Sequence, residues 1–304
     1  MRGSPHLESE VGARVALELR RVAKAANRNT DAVATRFVLE RVVARIFAAA
    51  GNERFALKGG MVMMQAEGAG PVLGRATTDV DLHIPFEGPI EDMERALREC
   101  LSHEPDTDDG VRLDVGSMRL VRTRDGAVAG AAMTVTAQVG QIGVRVRCDL
   151  GFDARPVMDA AVDDTMPSVL PGMFPPVPVR RIPFSWVLAD KVQALVRHGE
   201  ATTRLRDVYD LAVILRRGMA DPAESAHAMR MTFELFGGEV PPDPGAIRAL
   251  SPEWAERNAP AWERDVRRKG HAVPMPDLAE TCAAIREGLG PMFEMVHDEA
   301  PRPF

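Results

Sequence analysis

The hydrophobic and polar positions along the chain first predict helices. Between residues 9 and 50, apolar residues recur every three or four positions, which is the spacing of an amphipathic helix. Residues 27–30 interrupt this spacing, so we predict two helices. The next segments predict a short strand that ends in paired glycines, "RFALKGG", and a short helix, "MVMMQAEG". A second strand, "TTDVDLHIPF", and a further helix, "GPIEDMERALREC", are predicted after them.

The pattern changes at residue 111, where apolar and polar residues begin to alternate. Three segments have this strand period, and turn-rich residues separate them: "VRLDVGSMRLVR", "AAMTVTAQV" and "IGVRVRCDL". We predict antiparallel strands joined by hairpins. The proline-rich stretch "MPSVLPGMFPPVPVRRIP" is short of backbone donors and predicts a covering or linking segment. After Pro183, five segments with helical spacing follow.

This order of elements predicts an α+β fold, in which a mixed sheet is followed by an α-helical domain. We place the boundary near residue 180, which gives a domain over residues 1–180, with the N-terminal helices, and a helical domain over residues 181–304. With 304 residues, 45% of them hydrophobic, the chain can bury a large core. The opening "MRGSPHLESE" is left out of this fold prediction.

Charge and cysteine content narrow the class of protein. The net charge of -6 excludes a generally basic surface for nucleic acid, so any contact with RNA must be local. Three widely separated cysteines fit neither a disulfide framework nor a zinc cluster, which favours a reducing cytoplasm. The chain has no run of about 18 apolar residues and no signal-peptide pattern. We therefore expect a cytoplasmic monomer with no membrane partner.

Two aspartates one residue apart are the first candidate site. In a strand, Asp79 and Asp81 point to the same face, opposite the apolar residues that alternate with them. The alternation in "VRVRCDL" places Asp149 on a polar face as well, where it can join them. Three carboxylates from two strands are the ligands that two magnesium ions need, because hard oxygens bridge cations about 4 Å apart. Paired acids on an exposed strand are more often simply solvated, so the pattern alone leaves both interpretations open.

A pair of glycines upstream strengthens the first interpretation. Gly59 and Gly60, in "LKGGM", follow a predicted strand and precede a predicted helix. Backbone amides at such a helix start can hold phosphate oxygens. An ordinary strand-to-helix turn is the alternative for the glycines taken alone.

Together these motifs resemble a known family. "LKGGMVMMQAEGAGPVLGRATTDVDLHI" is similar to the opening motifs of the AbiEii/MenT toxin nucleotidyltransferases, within the DNA polymerase β-like superfamily. That group carries a glycine pair, an arginine, a hydroxyl residue and D-x-D. "VRVRCDLGF" resembles its third-acid strand, and "PFSWVLADKVQALVRHGEATTRLRDVYDL" resembles its later motif. The similarity covers roughly residues 55–215.

The resemblance implies a polymerase β-like nucleotidyltransferase domain and assigns roles to individual residues. The metal ligands that it implies are Asp79, Asp81 and Asp149. The catalytic residues that it implies are these acids with Lys191 and Asp207. The nucleotide-binding residues that it implies are Lys58, Gly59, Gly60, Arg75, Thr77 and Lys191. The chain departs from the group at Asp190, where glutamate is frequent, and at His198, where arginine is common.

Several of these residues also have simpler interpretations. Lys191 and Asp207 can form a structural salt bridge, and Thr77 can make a local backbone hydrogen bond. His83, on the polar face of the strand, is expected to be a bystander. Basic residues are expected around the cleft, where they would hold triphosphate or RNA backbone: Arg75, Arg145, Arg147, Arg180 and Arg181.

The resemblance also implies a function. It implies transfer of NMP from an NTP to the 3′ acceptor end of tRNA, with Mg²⁺ or Mn²⁺ as cofactor, which blocks aminoacylation and translation. Such a protein is a growth-inhibiting toxin with a cognate antitoxin. The sequence does not select among the four NTPs. A transferase that modifies a hydroxyl of a partner protein would use the same acids, and a non-catalytic binding module would not need them.

Overall fold

The computed structural model of the chain describes residues 10–67, 77–125, 128–153, 155–267 and 273–298. Within these ranges the chain forms one seven-stranded sheet and nine α-helices. The strands are β1 (Ala56–Lys58), β2 (Val80–Ile84), β3 (Val111–Asp125), β4 (Val128–Val139), β5 (Ile142–Phe152), β6 (Val162–Met166) and β7 (Val177–Arg181). The helices are α1 (Glu10–Ala25), α2 (Thr30–Ala48), α3 (Gly59–Glu67), α4 (Ile90–Leu101), α5 (Phe184–His198), α6 (Leu205–Arg216), α7 (Pro222–Leu235), α8 (Pro252–Trp262) and α9 (Leu278–Asp298).

The two N-terminal helices are separated where the sequence predicted an interruption. Asn27 has a φ of 51°, in the left-handed region that ends many helices. Asn29 caps the next helix, because its side chain accepts hydrogen bonds from the N–H groups of Asp31 and Ala32. The predicted pair of helices is confirmed.

The sheet is mixed, and its strand order is β3-β4-β5-β2-β1-β7-β6. β3, β4 and β5 are antiparallel neighbours, which confirms the three predicted hairpin strands. β2 runs parallel to β5 and antiparallel to β1. This register sets Asp81 beside Asp149 on one neighbouring strand and beside Lys58 on the other.

The proline-rich segment contributes a strand that the sequence did not predict. β7 pairs antiparallel with β6, which was also not predicted, and parallel with β1. Val177 and Val179 are buried whereas Pro178 between them is exposed. Buried and exposed residues therefore alternate as in a strand, but the prolines argued against a strand in the sequence. Pro178 is tolerated because β1 is three residues long and meets β7 further along, at Arg181.

Helices bury the apolar face of the sheet. α2 packs against β5 and β7, α1 packs against α2, and α4 packs against α2 and β3. Val146, Cys148 and Leu150 of β5 belong to this buried face. The alternate residues of β4 and β5 form the opposite face, where Thr136 and Arg145 are exposed.

The C-terminal helices pack on one another and against α3. α5 contacts α6 and α7, α9 contacts α6, α7 and α8, and α3 contacts α6. All five predicted helices are present, and buried apolar side chains form one continuous core from α1 to α9. The sheet ends at Arg181 and α5 begins at Phe184, while the domain boundary near residue 180 stays a prediction. None of the described helices is both long enough and apolar enough to cross a membrane.

Candidate active site

A cleft of about 590 Å³ lies between the sheet and the C-terminal helices. Its walls come from the inner strands and α3 on one side, and from α5 and α6 on the other. The predicted site residues that line it are Lys58, Gly59, Asp81, Asp149, Lys191 and Asp207. Residues far apart in the sequence therefore meet at one cleft.

The pairing of β2 with β5 brings the predicted acids together. Asp81 and Asp149 are directly opposite on parallel strands, and Asp79 directly precedes β2. Burial raises the pKa of Asp81, and the charges of Asp79 and Asp149 raise it further. The nearby Lys58 opposes this shift without cancelling it. The carboxylates therefore repel one another, and a bound cation would relieve that repulsion.

Two of the acids also have partners within the protein. Arg147 Nε lies 3.0 Å from Asp149 Oδ1 and 3.1 Å from Asp149 Oδ2. Thr77 Oγ1 donates to the main-chain oxygen of Asp79 at 3.3 Å, which is the local hydrogen bond foreseen as its alternative role. Among the described residues, no three histidine, cysteine or acidic side chains are arranged around one point as metal ligands. The donor chemistry nonetheless fits a divalent cation, because the acids offer hard oxygens at a site with excess negative charge.

The glycine pair positions Asp81. Gly59 has a φ of 65°, and a Cβ there would lie 2.0 Å from Asp81 Oδ2. The N–H of Gly60 donates a hydrogen bond to the same carboxylate, so this amide contacts an acid within the protein. Phosphate binding by the pair stays a prediction. Gly151, which the sequence did not single out, leaves room for the ammonium of Lys58, because a Cβ at Gly151 would lie 2.8 Å from Lys58 Nζ.

Across the cleft, two acids of α6 hold Lys191. Its Nζ is 3.0 Å from Asp207 Oδ1 and 2.6 Å from Asp210 Oδ2. Arg204 Nη1 lies 3.0 Å from Asp207 Oδ2. Burial opposes ionisation of Asp207, but Lys191 and Arg204 outweigh it and lower the pKa of Asp207. The salt bridge is therefore present, and Lys191 and Asp207 also line the cleft, so both interpretations of this pair are compatible.

A buried network in the wall of the cleft was not predicted from the sequence, and three of its members, Asp153, Arg155 and Asp190, line the cleft. Arg155 Nε is 3.0 Å from Asp153 Oδ1, and its Nη1 is 2.5 Å from Asp190 Oδ1 and 2.8 Å from Thr232 Oγ1. His83 Nδ1 lies 3.3 Å from Asp153 Oδ2, so His83 is a member of this network. Burial opposes ionisation of Asp153, but His83 and Arg155 hold its pKa well below the usual range. The network fastens the end of β5 to α5 and α7.

The basic residues expected around the cleft have different positions. Arg147 lines the cleft, and Arg145 is exposed on the same strand. Arg180 and Arg181 are not among the described residues that line it, and they form ion pairs with Asp163 and Asp164 of β6. Arg75 lies outside the described residues.

Comparison with known proteins identifies the family of the chain. The family described as "Nucleotidyl transferase AbiEii toxin, Type IV TA system" matches residues 41–284. The chain belongs to the AbiEii family. It is a nucleotidyltransferase toxin with an antitoxin, as the resemblance implied, and its toxin–antitoxin system is of type IV. Membership in the AbiEii family implies an NTP substrate and an antitoxin partner, and a divalent metal is typical of such enzymes.

Two solved structures are similar to this AbiEii protein. MenT4, a nucleotidyltransferase toxin from Mycobacterium tuberculosis, is 17% identical over 93% of this chain and 90% of that chain, with a TM-score of 0.54. JHP933 from Helicobacter pylori is 14% identical over 93% of this chain and 91% of that chain, with a TM-score of 0.44. The similarity to MenT4 confirms the predicted α+β fold. The search of curated proteins gave no match.

Gly59→Ala should disable the site. The new methyl group would collide with the Asp81 carboxylate, and alanine is strained at a φ of 65°. We expect NMP transfer to fall by about a hundredfold, the effect of misplacing a reacting group by about 1 Å, and unfolding free energy to fall by about 1–3 kcal/mol. Transfer assays and thermal unfolding would measure both.

Gly143→Ala on β5 is the matched control, because a Cβ there meets nothing within 4 Å. Gly143→Ala should leave the rate of NMP transfer and the free energy of unfolding unchanged. A Gly59→Ala protein with normal transfer and stability would contradict the close packing of Gly59 on Asp81.

Proposed function

We propose that this toxin is a magnesium-dependent transferase that moves NMP from an NTP onto the 3′ acceptor end of tRNA. The observation that carries the proposal is the register of β2 and β5, which sets Asp81 beside Asp149 at a cleft whose other wall carries Lys191. Acids on one wall and a cation on the other suit a triphosphate, which binds metal ions and positive side chains together.

The acids are the proposed metal site. Asp79, Asp81 and Asp149 would hold Mg²⁺, or Mn²⁺, which when bound neutralises the charge of the phosphates and of the leaving pyrophosphate. The raised pKa of Asp81, caused by burial and then by its neighbouring acids, supports this role. A cation at this point would remove the repulsion that the protein otherwise carries.

The nucleotide is held from both walls of the cleft. Asp207 and Asp210 fix the ammonium of Lys191, so that it acts as a stationary charge for the triphosphate. Lys58 offers a second charge from the sheet, where it lies over Gly151. We assign the same nucleotide-binding role to Gly59, Gly60, Arg75 and Thr77, as the family resemblance implies.

The reaction is a direct displacement at phosphorus. The oxygen of the acceptor hydroxyl bonds to the α-phosphorus, the bond from this phosphorus to the bridging oxygen breaks, and pyrophosphate leaves. The hydroxyl proton passes to Asp149, the proposed general base. Catalysis then depends on positioning and on charge neutralisation, and no covalent enzyme intermediate is required.

A basic strip on the open face of the sheet supports RNA as the acceptor. Arg147 on β5 is level with Thr134 on β4 and with Arg119 on β3. The strip also includes Arg145, which precedes Arg147 by two residues and lies on the same face of β5. The three arginines are exposed. Arg119 and Arg145 can each contact a backbone phosphate, whereas Arg147 is paired with Asp149. An acidic protein needs such a local surface to hold RNA, whereas a protein acceptor would not require it.

The biological effect follows from the chemistry of the acceptor. Nucleotides added to the 3′ end of tRNA would block aminoacylation and thus translation, and the cognate antitoxin would prevent this. The alternative is a protein-modifying transferase, which would use the same acids on a hydroxyl of a partner protein or of the antitoxin.

Replacing an acid should abolish transfer without unfolding the protein. We expect Asp79→Asn or Asp81→Asn to lower transfer by about a thousandfold, because each removes a metal ligand whose effect amounts to several kcal/mol. Thermal stability should stay the same or rise, since one repelling charge is gone. Asp92→Asn, at an exposed position of α4, is the control for losing a surface carboxylate. Wild-type turnover in either site variant would reject the metal site.

The basic strip should govern the salt dependence of tRNA binding. Arg119→Gln and Arg145→Gln should each reduce the slope of log affinity against log salt by about 0.7–0.9, the value of one phosphate contact. NTP binding should not change. Arg20→Gln, at an exposed position of α1 behind the apolar face of the sheet, is the matched control and should leave the slope unchanged. Equal effects in all three variants would exclude a specific RNA surface.

The acceptor itself can be tested with chemically blocked tRNA. The protein is incubated with metal, each of the four α-labelled NTPs, and tRNA whose terminal diol has been oxidised with periodate. Label should enter mock-treated tRNA and fall to background on oxidised tRNA, because the attacking hydroxyl is lost, while NTP binding persists. Label on oxidised tRNA, or only on protein, would reject the tRNA end and favour the protein-modifying alternative.

A further inference from the structure

We propose that Arg197 and Phe236 form the site for the base of the incoming nucleotide, an assignment that rests on the proposed function. Arg197 lies at the end of α5, and Phe236 directly follows α7. Arg197 Cζ is 5.4 Å from the centroid of the Phe236 ring, and both residues line the cleft. A guanidinium stacked on an aromatic ring presents a flat surface with π and cationic character.

The distance from Lys191 to this pair suits a nucleotide. Lys191 and Arg197 are six residues apart on α5, which is about 9 Å along the helix axis. Ala194 lies between them and also lines the cleft. This wall therefore leads from an ammonium, past a small methyl group, to an aromatic ring. With the triphosphate at Lys191, the ribose passes Ala194 and the base reaches Phe236.

The chemistry of the ring supports stacking. Phe236 is the one aromatic residue among the described residues that line the cleft, and it is half-buried, so packing holds the ring while part of it stays accessible. Every nucleobase has a π face, and stacking on an aromatic side chain adds affinity without selecting among bases. The pair therefore binds nucleosides in general and leaves the selection of one NTP to other contacts.

The acceptor RNA also carries bases, but the position of the ring favours the nucleotide. Phe236 and Arg197 lie on the helical wall, with Lys191. The strip that faces RNA, with Arg119 and Arg145, lies on the sheet. A base at Phe236 therefore belongs to the molecule whose phosphates contact Lys191.

The test compares NTP with inorganic tripolyphosphate, each with Mg²⁺ and without RNA. Phe236→Leu should weaken the binding of all four NTPs by about fivefold to about a hundredfold, the effect of one stacked base. It should leave tripolyphosphate binding unchanged. Phe236→Tyr keeps the ring and should retain NTP affinity. Phe86→Leu is the matched control, because Phe86 is also half-buried and packs on Phe152, and neither of these two rings lines the cleft.

A second variant reports the contact directly. In Phe236→Trp, the added indole should be quenched by NTP and not by tripolyphosphate, because only the NTP brings a ring to stack on it. The three native tryptophans are buried, and wild-type emission under both ligands provides the background.

Each other outcome overturns the assignment. Unchanged NTP affinity in Phe236→Leu would exclude stacking, and an equal loss of NTP and tripolyphosphate would mark the ring as structural. If Phe236→Leu keeps its NTP affinity but binds tRNA more weakly in a separate titration, the ring would be assigned to RNA. If the wild-type protein binds neither NTP nor tripolyphosphate, the proposed function fails together with this site, and that result differs from all the others.

Discussion

The register between β2 and β5 is the constraint on which the site depends. Parallel pairing puts Asp81 beside Asp149, and a shift of one residue would turn Asp149 towards the apolar face. Cys148 and Leu150, on either side of Asp149, are buried in the core and oppose that shift. The fold can therefore hold mutually repelling charges side by side, because burial of their apolar neighbours fixes the backbone between them.

The same constraint explains the small residues around the acids. Gly59 meets Asp81, and Gly151 meets the ammonium of Lys58. A Cβ on Gly130 of β4 would lie 2.5 Å from the main-chain oxygen of Leu150. A side chain at Gly59 or Gly151 would displace a charged group, and a side chain at Gly130 would push β4 away from β5. The geometry of the site thus requires glycine at these positions, because glycine has no Cβ.

Sequence patterns predicted the parts of this arrangement that are local. Strand alternation put Asp149 on a polar face, and helical spacing with the family motif pointed to Lys191, which lines the cleft. Contacts between residues far apart in the chain could not be predicted from such local patterns. Arg155 meets Asp190 and Thr232 at separations of 35 and 77 positions, and no local pattern encodes such contacts. β7 was missed because prolines, which usually end strands, obscured its alternation.

Arg155 has a consequence for how the cleft works over time. It joins Asp153, next to the end of β5, to Asp190 on α5 and Thr232 on α7. Moving α5 away from the sheet would break the contact between Arg155 and Asp190, whereas the contact between Arg155 and Asp153 would remain. Arg155 therefore ties the two walls of the cleft together, and we expect their separation to change little when substrates bind and pyrophosphate leaves.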